Sequence, residues 1–129
     1  MRIRANTIYL LGLSFFLFFS QIAAAAWPAS VVGTWAVRAN QTPGFMHITF
    51  QATTGACRLI RGDILGAPMQ GYYCPGTGRI QFLRKDATNN DTFQVYSANL
   101  TSTGSVNYMG GSFGSFDTGY GEYSFFAQK

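Results

Sequence analysis

Charge is scarce in this chain, and histidine is scarcer. Only 11% of its 129 residues are charged, and His47 is the single histidine. Metal sites need three or four clustered His, Cys, Asp or Glu ligands, a supply that one histidine and five scattered acids do not offer. A serine nucleophile needs a base within reach, and His47 falls on the outward side of its segment by alternation with Met46 and Ile48. Glycosidase chemistry needs two carboxylates flanking a cleft. Asp86, Asp91 and Asp117 read instead as turn formers, and Asp117-Thr118-Gly119 is the nearest approach to a catalytic aspartate triplet. Helical periodicity is missing after Pro28, so no glycine loop opens a helix to cradle phosphate. We therefore expect no catalytic residue, no metal and no cofactor.

The basic residues are equally uninformative. Arg2 and Arg4 sit at the extreme N-terminus, while Arg38, Arg58, Arg61, Arg79, Arg84, Lys85 and Lys129 are spread along the rest. Against the five acids they leave a net charge of +2 from residue 27 onward. Nucleic-acid binding shows a basic stripe or patch; none is visible, and Arg84-Lys85 reads as a solvated strand end.

One long apolar run exists, Ile8 to Phe19, preceded by Arg2 and Arg4 and followed by the small residues Ala23 to Ala26. Those are the three parts of a secretory signal. Gln21 interrupts the run before it reaches the roughly 20 residues of a membrane span. The expected organisation is a cleaved leader over 1–26 and one domain over 27–129, secreted or periplasmic and not an integral membrane protein once cleaved.

The domain reads as all-β. Eight β-rich runs are separated by turn residues: Val31–Ala39, Phe45–Ala52, Cys57–Ile64, Ala67–Cys74, Arg79–Lys85, Thr92–Leu100, Val106–Phe113 and Glu122–Ala127. The breaks include Thr42-Pro43-Gly44, Leu65-Gly66, Ser102-Thr103-Gly104 and Asp117 to Gly121. No segment is long enough for a crossover helix, so sequence neighbours pair antiparallel. Period-two alternation turns inward Trp35 and Val37, then Met46, Ile48, Phe50 and Ala52, then Ile80 and Phe82, Phe93 and Val95, and Tyr123, Phe125 and Ala127. Closing such a meander removes its edges, which predicts a single antiparallel up-and-down barrel. Several strands fall short of the 9–11 residues of a membrane-spanning barrel.

Cys57 and Cys74 are the two cysteines. A two-residue hairpin at Leu65-Gly66 sets them directly opposite each other, at a separation a disulfide spans. An exported domain favours the oxidised pair, which predicts one bond.

At Gly33-Thr34-Trp35 the chain resembles the calycin-type barrels: avidin-like proteins, lipocalins and small bacterial inhibitors. A Gly-x-Trp opens the first strand there, and the resemblance implies that Trp35 plugs one end of the barrel. Val37 stands where avidin-like proteins carry a biotin-anchoring Asn, and Lys129 is the nearest counterpart of the lipocalin last-strand Arg. The resemblance thus implies a fold, with no named ligand.

Three functions remain open on the sequence. One is a carrier of a small apolar molecule, with Trp35, Phe50, Phe82, Phe93 and Phe125 as candidate lining. Another is a protein-binding module, such as an inhibitor of a secreted hydrolase. The third is an envelope or matrix component, suggested by the Tyr and Phe interleaved with Gly and Ser from Tyr108 to Phe126. Three Asn-x-Thr triplets, at Asn40, Asn90 and Asn99, matter only in a pathway that glycosylates.

Overall fold

The computed structural model describes residues 27–86, 88 and 91–129; the leader expected over 1–26 lies outside them, as does Asn90 of the second Asn-x-Thr triplet. Two-residue turns set the geometry. Asn40 and Gln41 both take positive φ (47° and 68°), as do Leu65 and Gly66 (50° and 76°), the conformation that joins two twisted antiparallel strands without splaying them. Thr42-Pro43-Gly44, expected as a break, therefore lies inside a strand, because Asn40-Gln41 already makes the turn. Gly104, also at positive φ, moves the sixth turn one residue past Ser102-Thr103.

Eight strands result: β1 Gly33–Ala39, β2 Thr42–Gln51, β3 Arg58–Ile64, β4 Ala67–Cys74, β5 Arg79–Lys85, β6 Phe93–Thr103, β7 Val106–Phe116 and β8 Tyr120–Gln128. Each pairs antiparallel with the next, and β1 pairs with β8 through Ala36↔Gln128 to Ala39↔Phe125, closing the barrel. The β3–β4 register is the one expected from Leu65-Gly66, with Ile64 opposite Ala67 and Arg58 opposite Tyr73. It brings Cys57 and Cys74 into a disulfide with Cα atoms 4.0 Å apart. A disulfide belongs to an oxidising compartment. Among the described residues no helix is long and apolar enough to cross a membrane.

Two calls of alternation are corrected. Residues Met46 and Ile48 face inward, but the β2–β3 register shifts between Ile48↔Gly62 and Phe50↔Arg61. That bulge gives β2 one extra residue and reverses its side-chain sense, so Phe50 stands on the outer wall, 44% exposed. On β6 the inward set is Tyr96, Ala98 and Leu100, which turns Phe93 and Val95 outward. Both faces of β6 are apolar near its start, so alternation alone does not choose between them.

Sharp coiling of the strands is written in glycine. A Cβ on Gly62 would fall 1.8 Å from the His47 carbonyl oxygen, and one on Gly71 would fall 2.0 Å from that of Gln81. Only glycine permits such close backbone approach at a barrel corner. The inside is apolar throughout, with no polar or charged residue buried among those described.

One end of the barrel is closed. Trp35, fully buried as expected, donates from Nε1 to the Val31 carbonyl at 2.9 Å. Gln51 clamps the entering chain, accepting from Val31 N and donating to the Ala29 carbonyl, each at 2.9 Å. The Tyr73 hydroxyl donates to the Pro28 carbonyl, and Trp27 donates from Nε1 to the Leu100 carbonyl at 3.0 Å. Lys129 reaches the same end, donating from Nζ to the Val32 carbonyl beside Gly33. The opposite end, where the turns after β1, β3, β5 and β7 gather, is the mouth.

Candidate functional site

Below the mouth the barrel is filled by aromatics. Tyr96 stacks on Phe82 and on Phe113, with centroids 4.7 Å apart in each case, and Phe125 meets Phe82 and Tyr96 edge-on at 6.1 and 5.0 Å. Parallel offset and edge-on contacts are the arrangements that aromatic quadrupoles favour. Of the candidate lining, Trp35, Phe82 and Phe125 therefore do point inward, but into a packed core, while Phe50 and Phe93 stand outside. Burial pushes the Tyr96 phenol up to about 12, with the Arg84 guanidinium pulling the other way; its hydroxyl donates to Gln94 Oε1 at 2.7 Å. Burial also raises the Tyr73 phenol.

What remains at the mouth is a recess of about 230 Å³, floored by Tyr96 and Phe113 and rimmed by Asn40, Thr42, Gln94 and Ser115. Arg84, read from sequence as a solvated strand end, instead points in at this end. Its Nε donates to the Ile64 carbonyl at 2.9 Å and its Nη2 to the Leu65 carbonyl at 3.2 Å, holding the β3–β4 turn. Lys85 beside it is exposed.

The larger recesses lie on the outer wall. One, of about 430 Å³, crosses the β1–β8 seam between the exposed rings of Phe45 and Phe126. The other, of about 600 Å³, lies over β3, β4 and β5 and is lined by Arg61, Pro68, Gln70, Tyr72, Leu83 and Lys85 among others. It has a reason to exist: Gly62 and Gly71 at its floor bend the sheet and carry no side chain.

That groove belongs to a wider band. Direct cross-strand pairs run outward-facing from Phe50 to Arg61, Gln70, Leu83 and Val95, spanning β2 to β6. Arg61 lies over the Phe50 ring at 5.5 Å, and Tyr72, 54% exposed, flanks the row. Phe93 stacks on Phe116 at 4.7 Å at the band's edge. Sequence reading missed the band, since alternation marks an outward residue as dispensable; Tyr72 and Leu83 were the available signals, large apolar residues at outward positions.

Elsewhere the outer wall is polar. Arg79 donates to Ser97 Oγ and to Asn99 Oδ1, and Gln81 donates to the same serine. His47 faces outward as expected and meets Asp63 at 2.9 Å, both of them 45% exposed. Such a surface pair contributes little. Asp117 lies in the β7–β8 turn, its backbone N–H donating to the Gly119 carbonyl at 3.1 Å.

The closed eight-strand barrel agrees with a calycin-type barrel at the level of fold. No family model matches the chain, and no curated protein matches it.

Proposed function

We propose that this is an exported, non-enzymatic recognition barrel that binds a protein partner on the outside of its sheet. The observation carrying this reading is the pairing of a filled interior with an exposed aromatic and cationic band over β2–β6. Tyr and Arg are the residues most enriched at the energetic centres of protein interfaces, and Phe and Met are enriched with them; Tyr72, Arg61, Phe50 and Met69 supply all four at one place. A carrier of a small apolar molecule, by contrast, needs an apolar cavity of some hundreds of Å³, where Phe82, Tyr96, Phe113 and Phe125 already sit.

The leader over 1–26 and the disulfide support export to a secreted or periplasmic location. Apolar residues inside and charged residues such as Arg61, Lys85 and Glu122 outside reverse the pattern of a membrane-spanning barrel. Scattered charge speaks against nucleic acid. The residues of the band offer surface contact and no acid–base pair, and nothing in it calls for a cofactor.

A photo-crosslinking residue at position 72, compared with one at the exposed β1 position Thr34, tests the reading in the secreted fraction. The expected result is one protein adduct of defined mass from position 72 and none from position 34. Equal labelling at both positions, or none at either, contradicts it.

A further inference from the structure

The β3–β5 groove has a matching shape on the same molecule. Its apolar floor lies between two cations, Arg61 and Lys85, and no carboxylate lines it. By strand spacing and rise, the two Cα positions are about 12 Å apart. At the mouth end, the β7–β8 hairpin presents the reverse arrangement, with Tyr120 between the carboxylates of Asp117 and Glu122. Tyr120 is 63% exposed, the most exposed large apolar side chain among those described. Its ring rests on Gly114 and on Phe116, at 5.0 Å from the latter, so it projects in a fixed direction.

The hairpin is also open on one side. β1 pairs with β8 only from Phe125 onward, and Asn40 N donates to the Ser124 carbonyl at 2.9 Å as the last contact. Tyr120 to Tyr123 therefore have a strand partner on the β7 side alone, which leaves an edge free to meet another surface.

We propose that the occupant of the groove is a second copy of this chain, seated by its β7–β8 hairpin. The proposal rests on the reading of the band as a protein-binding surface and names its partner. Apolar ring meets apolar floor, and Asp117 and Glu122 meet Lys85 and Arg61, the complementarity that orients and selects protein partners.

The two surfaces dictate the form of the assembly. The strand order is a closed ring of eight, so β4, which carries Gln70 and Tyr72, and β8, which carries Glu122, are four strands apart either way round. Donor and acceptor surfaces thus lie on opposite sides of the barrel. Such a contact is head-to-tail, not two-fold, and each copy that binds leaves a free groove and a free hairpin. It grows an open chain of copies unless a rotation closes it. A small patch with few charges predicts weak, salt-sensitive association.

Sedimentation velocity of the exported protein tests this with no ligand required. The expected result is a mean mass that rises with concentration past that of a dimer at about 1 mM protein in low salt. It should return to the monomer at roughly 0.5 M salt, where the Debye length shrinks to a few ångström. Two charge-reversed variants, R61E with K85E and D117K with E122K, should each be monomeric, and mixing them should restore growth, since each then carries what the other lacks. All four positions are on the outer wall or in a turn, and circular dichroism identical to the wild type checks their fold. A wild type that stays monomeric at about 1 mM, one that stops at a dimer, or a mixture that stays monomeric overturns the proposal. Titration of the monomer with a poly-glutamate peptide then separates the two levels. Shifts of the Tyr72 and Arg61 amide resonances leave the band a protein-binding surface for a foreign acidic partner; no shifts remove that reading as well.

Discussion

The ring of Tyr96 lies flat against that of Phe82, with centroids 4.7 Å and planes 9° apart, and its hydroxyl turns up toward the mouth to reach Gln94. One side chain thus both fills the barrel and ends it. Its phenol is held neutral, pushed up to about 12 against 10 for the unfolded chain. Between those two pH values the unfolded chain releases a proton that the barrel retains, so stability is full below pH 10 and is lost as pH rises toward 12. We expect Tyr96→Phe to be less stable than wild type by about 1 kcal/mol at neutral pH, for one lost hydrogen bond. A two-unit shift corresponds to a wild-type loss of about 2–3 kcal/mol, so the order should reverse near pH 12. Urea melts of both proteins from pH 7 to pH 12 check this.

Trp35 and Trp27 should behave differently. Truncating the fully buried Trp35 removes its ring and its bond to Val31, at a cost of about 3–5 kcal/mol, most of what a domain of this size has. Trp27→Ala loses one hydrogen bond to Leu100 and a half-exposed ring over Gly78, for about 1 kcal/mol. Urea denaturation followed by far-ultraviolet circular dichroism gives both values.

The disulfide closes a loop with a sequence separation of 17, for which chain entropy gives about 3 kcal/mol. Cys57→Ser/Cys74→Ser should therefore melt well below wild type while keeping the same strand signal. An unchanged melting temperature would remove the stabilising role assigned to the bond.

Two glycines make a paired test of barrel curvature. Gly71→Ala places a methyl group 2.0 Å from the Gln81 carbonyl oxygen and 2.4 Å from Phe82 Cα, so β4 and β5 must separate and the domain should lose several kcal/mol. At Gly110 an added Cβ meets nothing within 4 Å, and alanine there should be neutral or slightly stabilising. Thermal melts of the two variants suffice.

The legibility of this fold in its sequence follows from where its signals are local. Leu65-Gly66 and the two cysteines each point to one β3–β4 register, and they agree because both depend on a single hairpin. Trp35 was legible for a similar reason, standing in a strand whose inward and outward residues differ clearly. Phe50 was misplaced because a bulge is a relation between β2 and β3 that neither strand announces alone. Phe93 was misplaced because Phe93-Gln94-Val95-Tyr96 is apolar on both faces, so burial is decided by neighbours on β5 and β7. The outer band was illegible for a deeper reason. Phe50, Arg61, Gln70, Leu83 and Val95 sit on five strands, far apart in sequence, and only the registers bring them into one row.

The central claim is that the barrel is full and works from its outside. Titration of the isotope-labelled exported protein with palmitate, a long apolar probe, tests it most directly. The account predicts no saturable change in the side-chain resonances of Phe82, Tyr96, Phe113 and Phe125 up to the solubility limit of the probe. Saturable shifts of those four residues, with a fatty acid recovered from the complex, would show an interior that opens to an apolar ligand and would contradict the account.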